Sequence, residues 1–145
     1  MGLDMYLKGK LWIRDLKLKQ DLTKQFKELE SFSSDAVQEI TIEAIYWRKA
    51  NAIHKWFVDN VQEGTDDCGS YYVSRTQLEA LRETCQRVLD FKHLANGQLP
   101  TQEGFFFGNT EYDEGYYDDL RYTVECINQA LTLPEQWDFE YHSSW

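Results

Sequence analysis

A chain of 145 residues with 42% hydrophobic and 15% aromatic content has the material for one domain, residues 1–145, with a core of its own. Domains of this size bury roughly 68–70% of their unfolded surface, so no disulfide or metal staple is required. Five Trp, nine Tyr and eight Phe exclude a disordered chain and leave rings over to line a pocket, groove or interface.

The net charge of -10 is unevenly spread. Residues 1–30 balance at +2 and residues 101–145 at -9. A broad basic face for duplex DNA is therefore not expected. The acidic third serves either solubility or a basic protein surface.

Residues 3–12 (LDMYLKGKLW) read as a first strand with a Lys-bearing, edge-like end. Residues 18–31 place Leu22, Phe26 and Leu29 at helical spacing, and a polar loop follows. Residues 37–46 (VQEITIEAIY) alternate, with Ile40, Ile42, Ala44 and Tyr46 on one face and Glu39, Thr41 and Glu43 on the other, as in a half-buried strand. A helix over 47–61 is expected directly after it. Residues 62–69 form a polar turn, and Tyr71, Tyr72 and Val73 a short extended piece.

Ser74 and Gln77 have the spacing of a capping box, which opens a helix with an apolar stripe of Leu78, Leu81, Cys85 and Val88. Residues 92–110 read as a loop from their Gly, Pro and Asn. Thr110 with Asp113 marks the start of a last helix striped by Tyr116, Leu120, Val124, Ile127 and Leu131 and stopped before Pro134. Asp113, Glu114, Asp118 and Asp119 lie at its favourable end. Trp137, Phe139 and Tyr141 alternate with acids in a closing strand. The sum is an α+β fold, a small mainly antiparallel sheet packed by three or four helices.

Cys68, Cys85 and Cys126 are an odd number with no zinc-like spacing, so free thiols in a cytoplasmic setting are expected. The opening residues lack a basic leader and apolar run, and Tyr6 stands where an N-myristoylation motif needs Ser or Thr. No stretch approaches a membrane span.

On a helical wheel over 47–61, Ala50, Ile53, Phe57 and Val61 group as a buried stripe. Trp56 falls outside it, near Lys49 and Asn60: it is either covered by the 92–110 loop or offered for stacking. His54 is either a hydrogen-bonded core histidine or a ligand contact or acid–base group. Arg48 and Lys49, at the expected helix start, oppose the helix dipole. They either pair with the acidic 111–119 segment or join the amides in attracting an anion, with Asn51 as a further polar contact. Phe105, Phe106 and Phe107 between Gly104 and Gly108 cannot all face one side, so the loop either plugs the core or lines a pocket with Tyr112, Tyr116 and Tyr117. Asp66-Asp67 and Asp113-Glu114 are close carboxylate pairs with no convergent nucleophile evident. No metal or cofactor site is expected.

MGLDMYL, YWRKANAIHKWFV, the DDC triplet, LPTQEGFFFG with a following YDE, and the closing YHSSW together resemble a family of small proteins common in phages, prophages and bacteria. The likeness spans most of the chain apart from about residues 10–36. It implies a phage or mobile-element context, with the host cytoplasm as location, and supplies no reaction and no catalytic residues.

The leading expectation is a non-enzymatic accessory protein that binds a small anionic or nucleotide-like ligand, such as a host defence signal, through Arg48, Lys49, Asn51, His54, Trp56, Phe106, Tyr112 and Tyr116. The first alternative is an acidic inhibitor of a basic, nucleic-acid-binding host protein. The second is a small hydrolase or transferase using His54. Self-association is compatible with each.

Overall fold

The computed structural model describes residues 2–145; Met1, the first residue of the opening motif, lies outside them. Strands β1 (Asp4–Trp12), β2 (Glu39–Arg48), β3 (Ser70–Val73) and β4 (Trp137–Ser144) form one sheet in the order β2-β1-β4-β3. Every neighbouring pair is antiparallel, as expected from the sequence. Helices α1 (Leu16–Lys24), α2 (Asn51–Asn60), α3 (Arg75–Asp90), the single turn α4 (Ala95–Gln98) and α5 (Glu114–Ala130) complete the α+β fold.

Strand alternation selects the covered face. Met5 and Leu7 of β1, Phe139 and Tyr141 of β4, and Val73 of β3 point into the core beneath α2, α3 and α5. The Phe57 ring from α2 lies flat on Tyr141, with centroids 3.9 Å apart, which fastens helix to sheet. Asp4, Tyr6, Lys8 and Lys10 take the other face. There Tyr6 meets Tyr46 and His142 across the strands, and Lys10 pairs with Glu140 at 3.0 Å.

Two expectations are corrected at β2. The register slips between Leu7 and Lys8, so that Leu7 faces Ile45 while Lys8 faces Glu43, and Ala44 is left as a bulge. The bulge inverts the alternation: Ile45 and Trp47, rather than Ala44 and Tyr46, enter the core. The strand also runs on through Trp47 and Arg48, and the helix begins only at Asn51. Trp47 is held in the sheet by burial and by its indole N–H, which donates to Thr123 Oγ1 of α5 at 2.9 Å. A wheel started at Trp47 therefore took four strand and linker residues for the first turn of a helix.

Helices α3 and α5 follow their signals, whereas the stretch read as a loop from residue 92 opens with a 3-10 turn, Lys92–Leu94, and the single turn α4. The capping box at Ser74 is present in both directions, and Leu78, Leu81, Cys85 and Val88 are all buried. Asp113 alone caps α5, accepting from the Tyr116 amide, while Thr110 holds the loop before it. Helix α1 ends at Lys24 and a 3-10 turn at Lys27–Leu29 follows. Phe26 stays exposed, because the segment attaches to the sheet through Thr23 and Lys19, bonded to Val37 and Gln38, and not through an apolar stripe.

Candidate functional site

The chain leaves β2 at Arg48 and enters α2 at Asn51 through Lys49, whose φ of 55° is left-handed. This turn is fixed by the Lys49 amide donating to Leu3 O at 2.7 Å. Ala50 occupies the N-cap position and supplies no side-chain cap. Ser, Thr, Asn or Asp there would satisfy an amide of the first turn. Among the described residues, the Ala52 and Ile53 amides find no acceptor, although both residues are buried. Buried backbone donors without partners are rare, and mark a place where water or a ligand group completes the hydrogen bonding.

These amides border a cavity of about 270 Å³ lined by Lys49, Asn51, Thr101, Asn109, Asp113 and Asp119 among others. The 101–113 segment forms its outer wall and is fastened by one buried side chain. Asn51 Nδ2 donates to Phe107 O at 3.0 Å and Asn109 O at 2.9 Å, and its Oδ1 accepts from the Gln102 amide at 3.0 Å. Gly108, with φ of 84°, lets the strand of chain pass over the Lys49 stem, where a Cβ would sit 3.3 Å from Lys49 Cβ.

The α5 wall is acidic. The Asp113 carboxyl is held below its ordinary range, first by the Tyr116 amide and then by Asn109. Asp119 is different. It makes no side-chain hydrogen bond among the described residues, and burial, reinforced by Asp118 and Asp113, pushes its carboxyl up to about 6. A carboxyl that is harder to ionise in the fold favours folding below its unfolded value near 3.8 and loses that contribution as the pH rises through about 6. Asp119→Asn is therefore expected to stabilise the protein by about 1–2 kcal/mol at pH 8, discounted for partial exposure, and to leave it unchanged at about pH 3. Urea unfolding of both proteins at the two pH values checks this, and an equal effect at both would contradict it.

The sequence candidates divide around this cavity. Lys49, Asn51 and Tyr116 line it; Arg48, His54, Trp56, Phe106 and Tyr112 do not. Arg48 ends the strand and pairs with Asp4 at 2.9 Å, not with the 111–119 acids and not at a helix start. Trp56 is half-buried with its ring edge-on to Phe57 at 5.5 Å. Phe106 accepts the Leu3 amide on its carbonyl at 3.0 Å. The Tyr112 hydroxyl ties Asn96 to the Thr101 amide, and the buried Tyr116 hydroxyl donates to Leu99 O at 2.7 Å.

His54 is fully buried. Its Nδ1 lies 2.7 Å from Tyr141 Oη and its Nε2 3.0 Å from Asp66 Oδ2. Burial keeps the Tyr141 phenol protonated, so it donates to Nδ1, and Nε2–H donates to Asp66. Asp66 also accepts the Trp145 indole N–H at 3.1 Å, and the Phe107 ring stands edge-on to His54 at 5.4 Å. With both ring nitrogens occupied by protein, His54 is a core histidine that joins α2, β4 and the 62–69 turn.

The carboxylate pairs do not converge: Asp66 serves His54, while Asp67 accepts from the Gly69 amide and the Tyr71 hydroxyl. Among the described residues, no group of three or more His, Cys, Asp or Glu is arranged to hold a metal ion. The cysteines are all free thiols, and no helix of the described residues is long and apolar enough to cross a membrane.

Sequence reasoning passed over Asp119 as a site residue. It follows Tyr116 by three and precedes Thr123 by four, which puts it on the inward stripe of α5, and that spacing was available as a signal. No protein-family model matches the chain, and neither the curated proteins nor the solved structures contain a match to it.

Proposed function

We propose that the chain is a phage- or prophage-type accessory protein that binds a small nucleotide-like ligand in the cavity between the N-termini of α2 and α5, without transforming it. The observation that carries this reading is the pair of buried, acceptor-less amides at Ala52 and Ile53 beside Lys49. Helix N-terminal amides and an adjacent cation favour an anionic group. Asp119, unpartnered on the opposite wall, favours a hydrogen-bond donor, such as the exocyclic amine of a base. A ligand with phosphate at one end and amino donors at the other meets both walls, whereas a bare inorganic anion meets only one and is repelled by the other.

The volume of about 270 Å³ is just below the range of drug-sized ligand pockets, which run from roughly 300 to 1,000 Å³. That suits a mononucleotide-sized group. An enzymatic role for His54 has less support: the histidine and Asp66 border a second cavity of about 240 Å³, but both ring nitrogens are already bonded, to Tyr141 and Asp66. Sequestration of a host defence signal is the biological use we attach to this site.

Thermal-shift measurements with nucleoside monophosphates, cyclic mononucleotides and cyclic dinucleotides provide the test, with inorganic phosphate as control. A cognate ligand at 100 times its Kd stabilises by about 2.7 kcal/mol. For a chain of this length that is a rise of roughly 8 °C. Lys49→Gln is expected to weaken binding about tenfold or more. Absence of any shift across the panel, or equal shifts with phosphate alone, would defeat the proposal.

A further inference from the structure

We propose that the turn at residues 103–107 is the anchor of a protein–protein interface, in which Phe105, with Phe106 beside it, enters an apolar pocket set in a basic surface of a partner protein. Phe105 itself lies outside the lining of the ligand cavity, although Glu111, Asp113 and Asp119 belong to it.

Phe105 is 93% exposed, the most exposed large apolar side chain among the described residues. Its backbone is nevertheless tightly held. Phe107 N–H closes a turn onto Gly104 O at 3.1 Å, Phe106 O takes the Leu3 amide, and Asn51 grips Gln102, Phe107 and Asn109. Gly104 is needed for this shape, since a Cβ there would lie 2.6 Å from the Phe107 ring. The turn drives Phe107 inward against His54 and Trp145 and presents Phe105 outward, with Phe106 edge-on to it at 4.8 Å. A large ring held in water on a fixed loop loses little freedom when a partner covers it, and aromatic anchors of this kind dominate binding energy at interfaces.

Charge selects the partner. Residues 101–119 hold Glu103, Glu111, Asp113, Glu114, Asp118 and Asp119 and no Lys or Arg. Arg121 pairs with Glu114 and Asp118, and the Lys49 stem lies beneath Gly108, which leaves the segment with an excess of carboxylates that includes Glu103 at the turn. An anionic lipid surface is repelled by this excess, and so is a second copy with its net charge of -10. A protein pocket rimmed by Lys and Arg is attracted.

The experiment places p-benzoylphenylalanine at position 105 of the full chain in its own host cells, with position 72 as control, because Tyr72 is also exposed, on β3. The expected result is one protein adduct from position 105, absent from 72 and lost in the E103K/E111K chain. The captured protein, once purified, should bind the unmodified chain with a Kd that rises with salt and that F105A weakens at least tenfold. F105A should keep the parent Tm, which separates lost contact from lost fold. No adduct, equal adducts at both positions, or an adduct indifferent to charge reversal would overturn the proposal. So would cross-linking to a second copy, or Phe105-dependent flotation on phosphatidylglycerol vesicles.

Discussion

Replacing His54 by alanine is expected to lower stability by about 3–5 kcal/mol, a large part of the 5–15 kcal/mol that holds a typical domain together. Three losses combine. The Tyr141 hydroxyl, deep in the core, is left without an acceptor, and an orphaned buried donor costs about 1–3 kcal/mol. The emptied ring volume becomes a cavity, because Phe107, Phe57 and Tyr141 around it belong to three different elements and cannot collapse together. Asp66 loses the donor that draws the 62–69 turn onto α2, with Trp145 attached to the same carboxylate. The measurement is thermal or urea unfolding, with an expected fall in Tm of more than 10 °C. Tyr141→Phe alone should cost about 1–2 kcal/mol, and the double variant should cost less than the sum by about 1 kcal/mol or more, since the two side chains share one bond. An H54A protein with the parent Tm would show that the histidine is not a structural member and would return it to the candidates for chemistry.

The same residue illustrates what a linear pattern can carry. The wheel placed His54 beside the apolar stripe, and the strand alternation of Trp137, Phe139 and Tyr141 put the phenol on the covered face. Each was legible alone. Their meeting, 87 residues apart in sequence, depends on β4 lying between β1 and β3, which no local period encodes. The expected helix start at Trp47 failed for a related reason. Helical spacing of Trp47, Ala50 and His54 was real but accidental, because Trp47 was already committed to the sheet opposite Met5. A bulge at Ala44 reversed the faces of β2, and a period-2 pattern has no means of announcing one extra residue. Caps and stripes, by contrast, are local: Ser74 with Gln77 and the Leu78 to Val88 stripe needed nothing from the rest of the chain. The cavity lies at the other extreme. It is assembled from the start of α2, the start of α5 and an irregular segment between Leu99 and Asp113, and what hinted at it in the sequence was Lys49 and Asn51 beside the strand end, with Tyr116.

That irregular segment depends on Asn51, so Asn51→Ala is expected to cost about 2–4 kcal/mol, concentrated in one region. The wild-type amide uses both donors and its carbonyl, so truncation orphans Phe107 O, Asn109 O and the Gln102 amide at once, of which the Phe107 bond is buried. The remaining ties are Leu3 to Phe106, Thr101 to Thr110 and to the Tyr112 hydroxyl, and Asn109 to Glu111 and Asp113, gathered at Phe106 and at the two ends of the segment. They leave the middle free to open, and with it the outer wall of the cavity. Hydrogen exchange should therefore accelerate in residues 101–110 by about tenfold or more, while α3, which shares no bond with Asn51, keeps its protection. Asn51→Asp separates shape from donation. The carboxylate fills the same space and still accepts from Gln102, but it faces the Phe107 and Asn109 carbonyls with no proton to give. It is expected to be at least as damaging as alanine above pH 5. If Asn51→Asp instead retained wild-type exchange across 101–110, the hydrogen bonds to those carbonyls would not be what holds the segment, and packing of Phe107 alone would have to account for the closed cavity.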